Sequence, residues 1–335
     1  CWNFQPNSTY SGPIGLKGPQ LPRTGNAMAG FFSRTILGFD QREYMQVRLA
    51  QPLRAGRYYS FSFYVSLADN HEFASNRIGA LLSTTAVSIA NDKVIAASPQ
   101  ILENGIISDT SNWVLVSDTI QAAQAFEYFT IGNFFDDAST DTVTNPGASG
   151  QPGTYGAYYF VDDCRGREVA PPVNLSDETL CLGDSLSLDV NLPAVYNNVR
   201  YLWTTGATTS GIVVKDQGYY GVQVTIDDTL IVGDTIFVDV EFCPPVLNMA
   251  NVFSPNGDGV NDIFRPVSFS QINNVTLAIF DRWGKKLFET TDLNNGWNGT
   301  LEGKECPEGV YFWAVSYRGK SQESERMAGH LTLMR

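Results

Sequence analysis

Residues 251–264 read NVFSPNGDGVNDIF, and this stretch decides how the end of the chain is interpreted. Five turn-forming residues, PNGDG at 255–259, stand between two short apolar runs. Proline, asparagine, glycine and aspartate in such a cluster indicate a tight turn. About 70 residues with an alternating apolar and polar pattern follow, up to residue 335. The pattern therefore predicts that the chain ends in a β-domain.

The same alternation runs through the rest of the chain, for example at 58–65, 157–161, 219–226 and 310–317. Helical periodicity is nearly absent. Hydrophobic residues make up 43% of the chain, aromatic residues 12% and charged residues only 17%. Because β-branched and aromatic side chains pack well on a pleated surface, this composition favours strands. We predict an all-β fold built from sandwiches.

Two proline-containing linkers divide the chain, VAPPV at 169–173 and PP at 244–245. Proline pairs stiffen a connection and cannot continue a central strand. At 335 residues the chain is also longer than one ordinary domain. We expect three domains, at 1–168, 174–243 and 246–335.

The five cysteines are Cys1, Cys164, Cys181, Cys243 and Cys306, and no two of them form a C-x-x-C pair that would indicate zinc. Cys1 and Cys164 bracket the first domain, and Cys181 and Cys243 bracket the second. This nesting predicts two disulfide bonds made in an oxidising compartment, with Cys306 left over. The alternative is a lipid on Cys1, as in a processed bacterial lipoprotein, which would leave Cys164 without this partner.

The formal net charge is −13. An acidic surface repels nucleic acid phosphates and anionic lipids, so we expect neither as a partner. The chain has no run of 18 apolar residues, so we expect no transmembrane segment.

Further motifs follow 251–264 in a fixed order: LAIFDRWGKKLF at 277–288, GWNG at 296–299, PEGVYFW at 307–313 and HLTLMR at 330–335. This segment of about 85 residues resembles the gliding-motility-associated C-terminal domain of Bacteroidota, which is the type B sorting domain of the type IX secretion system. The resemblance implies export through the periplasm to the cell surface, and docking on an outer-membrane barrel protein of the secretion or gliding machinery. The alternative is an ordinary immunoglobulin-like domain with no sorting role. Trp283 and Trp297 are interpreted here as large apolar anchors.

The other two domains show weaker resemblances. Residues 174–243, with YLWTTG at 201–206 and GYYGVQV at 218–224, resemble immunoglobulin-like or PKD-like spacer domains. Residues 1–168, with PLRAGRYYSFSFYV at 52–65 and AYYFVDD at 157–163, resemble jelly-roll modules that are similar to carbohydrate-binding modules. These resemblances imply an N-terminal jelly-roll sandwich, followed by two immunoglobulin-like β-sandwich domains.

Two acidic pairs are candidate calcium ligands. In related jelly rolls an aspartate at the end of the last strand helps to hold a structural calcium, which here falls on Asp162 or Asp163; a solvent-facing acidic pair is the alternative. In the last domain, Asp258 and Asp262 lie in a loop that fails the EF-hand pattern, because its twelfth position is Val267 rather than glutamate. Two interpretations of this loop stay open. One is a calcium site that is not of the EF-hand type, and the other is a set of Asx-type turns in which the aspartates accept hydrogen bonds from backbone N–H groups.

The jelly-roll resemblance implies binding of a glycan or of another surface protein. Sugar binding needs an exposed aromatic ring, and Trp113, Phe135 and Tyr155 lie in loop-like sequence, although each also suits a core. Five short Asp-Ser/Thr motifs resemble the Bacteroidota O-glycosylation acceptor, with hydroxyls on Thr119, Thr142, Ser185, Thr229 and Thr235.

Catalytic patterns are weak. The only histidines are His71 and His330, and no G-x-S-x-G elbow is present, so a serine triad would have to use His71. We predict a non-catalytic surface protein. The alternatives are a structural or adhesin component of the gliding or secretion apparatus, and a secreted glycoside hydrolase with two carboxylates.

Overall fold

The computed structural model describes residues 20–35, 40–88, 93–146, 148, 156–320 and 324–335. These residues form 25 strands, and none of them is in a helix. The predicted all-β fold is therefore confirmed. In this part of the chain no helix is long and apolar enough to cross a membrane.

The chain divides into two compact units. The first comprises Cys1–Val173, Asn191–Arg200 and Val224–Val232, and the second comprises Asn174–Val190, Tyr201–Gln223 and Gly233–Arg335. The three domains expected from the linkers stay a prediction.

The first unit contains a sandwich of two four-stranded sheets, ordered β1-β10-β3-β7 and β2-β8-β5-β6, with a small β4-β9 pair. Large apolar side chains fill the space between the sheets, among them Phe31, Phe63 and Tyr159. The strands are β1 Ala29–Arg34, β2 Met45–Arg48, β3 Tyr58–Leu67, β4 Phe73–Ser75, β5 Ile78–Ser83, β6 Ile101–Glu103, β7 Val114–Gln121, β8 Tyr128–Gly132, β9 Thr142–Thr144 and β10 Ala157–Val169.

The next strands along the chain are β11 Glu178–Cys181, β12 Leu186–Asp189, β13 Val199–Trp203, β14 Gly211–Val214, β15 Gly218–Ile226 and β16 Leu230–Glu241. In the second unit β11 pairs with β16 in parallel, and β12 pairs with β14 in antiparallel fashion. The predicted disulfide between Cys181 and Cys243 is present, with Cα atoms 5.4 Å apart. It closes a loop of 62 residues, for which chain entropy alone is worth roughly 4 kcal/mol.

The C-terminal domain is built on a five-stranded sheet ordered β18-β25-β24-β20-β21. Its strands are β17 Val246–Met249, β18 Val252–Phe253, β19 Pro266–Ser270, β20 Ile272–Phe280, β21 Lys286–Thr290, β22 Thr300–Leu301, β23 Lys304–Glu305, β24 Gly309–Gly319 and β25 Ser324–Leu333. Burial alternates along β24, so that Tyr311, Trp313, Val315 and Tyr317 point into the core. The core also holds Phe264, whose backbone N–H and C=O both bond to Trp297.

Candidate binding surfaces of the C-terminal domain

The loop at 256–262 is closed by its own carboxylates. Asp262 accepts hydrogen bonds from the backbone N–H groups of Gly257 and Gly259 at 2.7 and 2.8 Å. Asp258 accepts one from Val260 at 2.7 Å. The two glycine N–H groups hold the pKa of Asp262 below its usual range. These are the Asx-type turns expected from the sequence, while calcium binding by Asp258 and Asp262 stays a prediction.

The turn between β20 and β21 presents an exposed tryptophan. Asp281 accepts hydrogen bonds from the backbone N–H groups of Trp283 and Lys285, both at 2.9 Å. Gly284 has φ +83°, a left-handed conformation that glycine adopts without strain. The turn is therefore fixed, and it holds the Trp283 side chain 83% exposed. The interpretation of Trp283 as an apolar anchor was wrong, whereas Trp297 is 1% exposed in the core as expected.

A cleft of about 370 Å³ lies beside this turn, and we call it the Trp283 cleft. It lies between the 281–285 turn, the β22–β23 hairpin and the start of β24. Leu287, Leu301 and Tyr311 give it apolar walls, and the buried Cys306 also lines it. Burial raises the pKa of the Cys306 thiol, so this cysteine is a weak nucleophile.

The side of the five-stranded sheet that points away from the core forms a second surface, which we call the outer face. Val252, Val310 and Phe312 are 43%, 46% and 47% exposed there. Val252 on β18 and Val310 on β24 lie on either side of Thr332 in the intervening strand β25. Phe312 lies two positions further along β24, opposite His330. Sequence reasoning identified the strands but did not single out this face.

The first acidic pair lies at the bulge in β10, where pairing with β3 shifts register between Asp162 and Arg165. Asp162 accepts hydrogen bonds from the backbone N–H groups of Arg23 and Thr24 at 2.8 and 3.2 Å. The Thr24 hydroxyl donates a hydrogen bond to Asp163 at 2.6 Å, and the Arg23 guanidinium forms an ion pair with it. Together they hold the pKa of Asp163 below its usual range. Arg23 thus supplies positive charge where calcium was predicted, and a calcium ion would require these donors to move.

The aromatic side chains proposed for sugar binding in the first domain are half-buried where they are described. Trp113 packs against Tyr158 and Phe160, and Phe135 lies under the guanidinium of Arg77, 4.4 Å from its carbon. Tyr155 lies outside the described residues. A sugar-binding role for these side chains stays a prediction.

The remaining site residues are placed as follows. His71 is fully buried, 5.2 Å from the ring of Tyr158, and His330 is exposed on β25. Cys1 lies outside the described residues, so its bond to Cys164 stays a prediction. Among the residues that the structure describes, no three His, Cys, Asp or Glu side chains come together as a metal site.

The five acceptor-motif hydroxyls differ in exposure. Four belong to exposed residues, which are Thr119, Ser185, Thr229 and Thr235. Thr142 is half-buried, and its hydroxyl accepts a hydrogen bond from Arg34 at 3.1 Å.

Comparison with solved structures finds several similar β-proteins. One is the EclA C-terminal domain, described as a sugar-binding protein, at 14% identity and TM-score 0.25, over 49% of this chain and 90% of that one. Another is SGBP-B of a Bacteroides ovatus mixed-linkage glucan utilization locus, in complex with a heptasaccharide, at 11% identity and TM-score 0.17, over 49% and 43%. A third is dimeric latent PorU from Porphyromonas gingivalis, at 10% identity and TM-score 0.20, over 83% and 30%.

No curated protein matches the chain. Residues 247–333 match the family model of the CHU_C type IX secretion signal domain. This range covers the five-stranded sheet, the 281–284 turn and the 256–262 loop, as the ordered motifs predicted. The C-terminal part of this chain is therefore a type IX secretion signal domain, and the chain is a cargo protein exported to the cell surface or the extracellular space.

Proposed function

We propose that this chain is a non-catalytic surface protein that docks through its C-terminal domain on an outer-membrane barrel protein of the type IX secretion or gliding machinery. The observation that carries this proposal is the outer face, where Val252, Val310 and Phe312 are exposed around Thr332 on one side of the sheet. Exposed apolar side chains grouped on one face indicate an interaction surface.

The charges around the outer face support a protein partner. Arg318 and Arg326 are exposed on β24 and β25, on the same side of the sheet as Phe312. Residues 246–335 contain nine Lys and Arg against ten Asp and Glu, while the rest of the chain contains 13 against 25. Aromatic residues and arginine are enriched at protein interfaces, and a nearly neutral domain can approach a partner without the repulsion of the acidic remainder.

Cell fractionation tests the proposal. Deletion of 246–335 is expected to leave the chain in the periplasm. Phe312→Asp places a charge on the outer face, so we expect the exported chain to be released into the medium and to lose its barrel partner on purification. Val213→Asp, at an exposed valine of β14, is the matched control and should stay cell-bound. A Phe312→Asp chain that copurifies with its partner as well as the native chain does would contradict docking through this face.

We further propose that the N-terminal jelly roll is the binding module. Two clefts of about 550 and 470 Å³ lie along β10, and both are lined by Arg165 and Arg167. Their size falls in the range of ligand pockets. Purification from native envelopes separates a glycan-binding role, in which the jelly roll retains polysaccharide, from the structural or adhesin role, in which the chain is a stoichiometric part of a stable complex.

The absence of catalysis is part of the proposal. The complete burial of His71 and the bonding of Asp162 and Asp163 to Arg23 and Thr24 support it, because these groups are not free to act on a substrate. Incubation of the purified chain with polysaccharides should release no reducing ends. Release that disappears when a pair of acidic residues is mutated would favour the glycoside hydrolase alternative.

A further inference from the structure

Trp283 is held in place although its side chain adds little to the core. The Asp281 carboxylate fixes the backbone of the turn through two N–H groups, so the turn presents Trp283 at the surface without core packing. The guanidinium of Arg282 lies 5.3 Å from the ring centre and covers one side of it. With 83% of the side chain exposed, the other side of the ring is open. An exposed tryptophan ring on a fixed turn is a flat apolar platform for a ligand.

The Trp283 cleft continues this platform inward. Its volume of about 370 Å³ lies near the lower end of the range of ligand pockets. Its walls are formed by Leu287, Leu301 and the ring of Tyr311. The Tyr311 hydroxyl donates to the carbonyl of Pro307 at 2.6 Å, which fixes this wall.

The cleft is lined by residues of both signs of charge, three basic and four acidic. Arg282, Lys285 and Lys304 share the lining with Asp281, Glu302, Glu305 and Glu308. Glu305 and Glu308 contact Arg335. Among the described residues, however, no side-chain hydrogen bond or ion pair occupies Arg282, Lys285, Lys304 or Glu302. Such a rim offers donors and acceptors at once, and its positive and negative charges differ by only one.

We propose that the Trp283 cleft binds an uncharged pyranose unit of a polysaccharide. The apolar C–H face of a pyranose ring packs against an aromatic ring, while its hydroxyl groups both donate and accept hydrogen bonds. Trp283 supplies the ring, and the mixed rim supplies partners for the hydroxyls. Val310 belongs to the outer face and also lines the cleft, but Phe312 does not line it, so docking can be tested separately at Phe312.

Affinity electrophoresis of the full chain tests the inference. Native gels containing dextran, yeast mannan, xylan or laminarin are compared with gels that contain no polysaccharide. We expect at least one polysaccharide that retards the native chain and whose retardation Trp283→Ala abolishes; retardation by the N-terminal jelly roll would not respond to this substitution. Tyr219→Ala is the matched control, because Tyr219 is a 75% exposed aromatic residue on β15, and it should leave retardation unchanged. Circular dichroism of each variant checks that it folds.

Three results would overturn the inference: no polysaccharide retards the native chain, every polysaccharide retards Trp283→Ala as strongly as the native chain, or high salt abolishes the retardation that depends on Trp283. The last result would indicate charge attraction, since salt screens exposed charges but leaves an uncharged ligand bound. The outcome is separable from docking. Trp283→Ala should stay cell-bound after export, whereas Phe312→Asp should bind polysaccharide normally.

Discussion

At the scale of single residues, two tryptophans of one domain have opposite environments. Trp297 packs against Phe253 and Tyr311 at ring distances of 5.5 and 5.0 Å, and its indole N–H donates to the carbonyl of Thr300 at 2.8 Å. We expect Trp297→Ala to lower the free energy of unfolding by about 3–5 kcal/mol, because it removes a large buried side chain. Trp283→Ala should change it by less than about 0.5 kcal/mol. Denaturant unfolding of both variants measures the difference. Equal losses of unfolding free energy would contradict the placement of Trp297 in the core and of Trp283 at the surface.

The sequence alone could not separate these two residues. Each precedes a residue typical of turns, in DRWG and GWNG, and hydrophobicity places each in a core. What separates them is long-range pairing. Trp297 shares two backbone hydrogen bonds with Phe264, 33 positions earlier, whereas the backbone of Trp283 is held within its own turn. The sequence around Trp297 carries no information about its pairing with Phe264.

Tyr317 couples the stability of the C-terminal domain to alkaline pH. Burial, together with a hydrogen bond to Glu325 at 2.8 Å, raises the pKa of Tyr317 to about 12. An unfolded tyrosine titrates near about 10. Because the folded pKa is the higher one, the stabilisation is complete below about pH 10 and is lost as the pH rises through about 12. Unfolding midpoints measured over this range should fall more steeply for the native chain than for Tyr317→Phe, and parallel curves would contradict the assignment.

At the scale of strands, one glycine in β25 makes room for a ring on β24. Gly329 lies opposite Trp313, and a Cβ atom on Gly329 would lie 2.6 Å from the indole. Gly329→Val should therefore lower the free energy of unfolding by about 1–3 kcal/mol through overpacking. Its neighbour Ala328 is exposed on the outer face, where a valine suits a strand, so Ala328→Val is the control and should have little effect. Equal destabilisation by both variants would contradict the packing argument.

Strands with strict alternation were predictable, and those with charged interruptions were not. The runs at 58–65 and 310–317 fall within β3 and β24, because one face of each strand packs on a core. The run at 157–161 is only the first part of β10, which continues through Asp162 and Asp163 to Val169. The continuation depends on a bulge, on positive φ at Asp163 and on hydrogen bonds to Arg23 and Thr24. None of these features has a periodic pattern in the sequence.

At the scale of the whole molecule, charge and sorting function are separated along the chain. Nearly all of the net charge of −13 lies before residue 246, and the signal domain is close to neutral. An acidic exported part stays soluble and repels anionic surfaces, while the signal domain can make close contacts. The position of the signal domain at 247–333 could be read from the ordered motifs. The binding surfaces could not, because they depend on which side of a sheet remains uncovered.

Exposure across the whole chain also predicts which hydroxyls can carry glycans. Modification requires an accessible hydroxyl, so we expect glycopeptides containing Thr119, Ser185, Thr229 or Thr235 in protein purified from its native host. Thr142 should remain unmodified, because it is half-buried and accepts a hydrogen bond from Arg34, which also contacts Asp137 at 3.3 Å. Peptide mass spectrometry identifies each site, and replacement of an exposed residue by alanine should remove its glycan mass. The same chain made in a host without the glycosyltransferase is the control and should show the mass of the polypeptide alone. Glycosylation at Thr142 with none at the exposed positions would show that accessibility in this fold does not govern the modification.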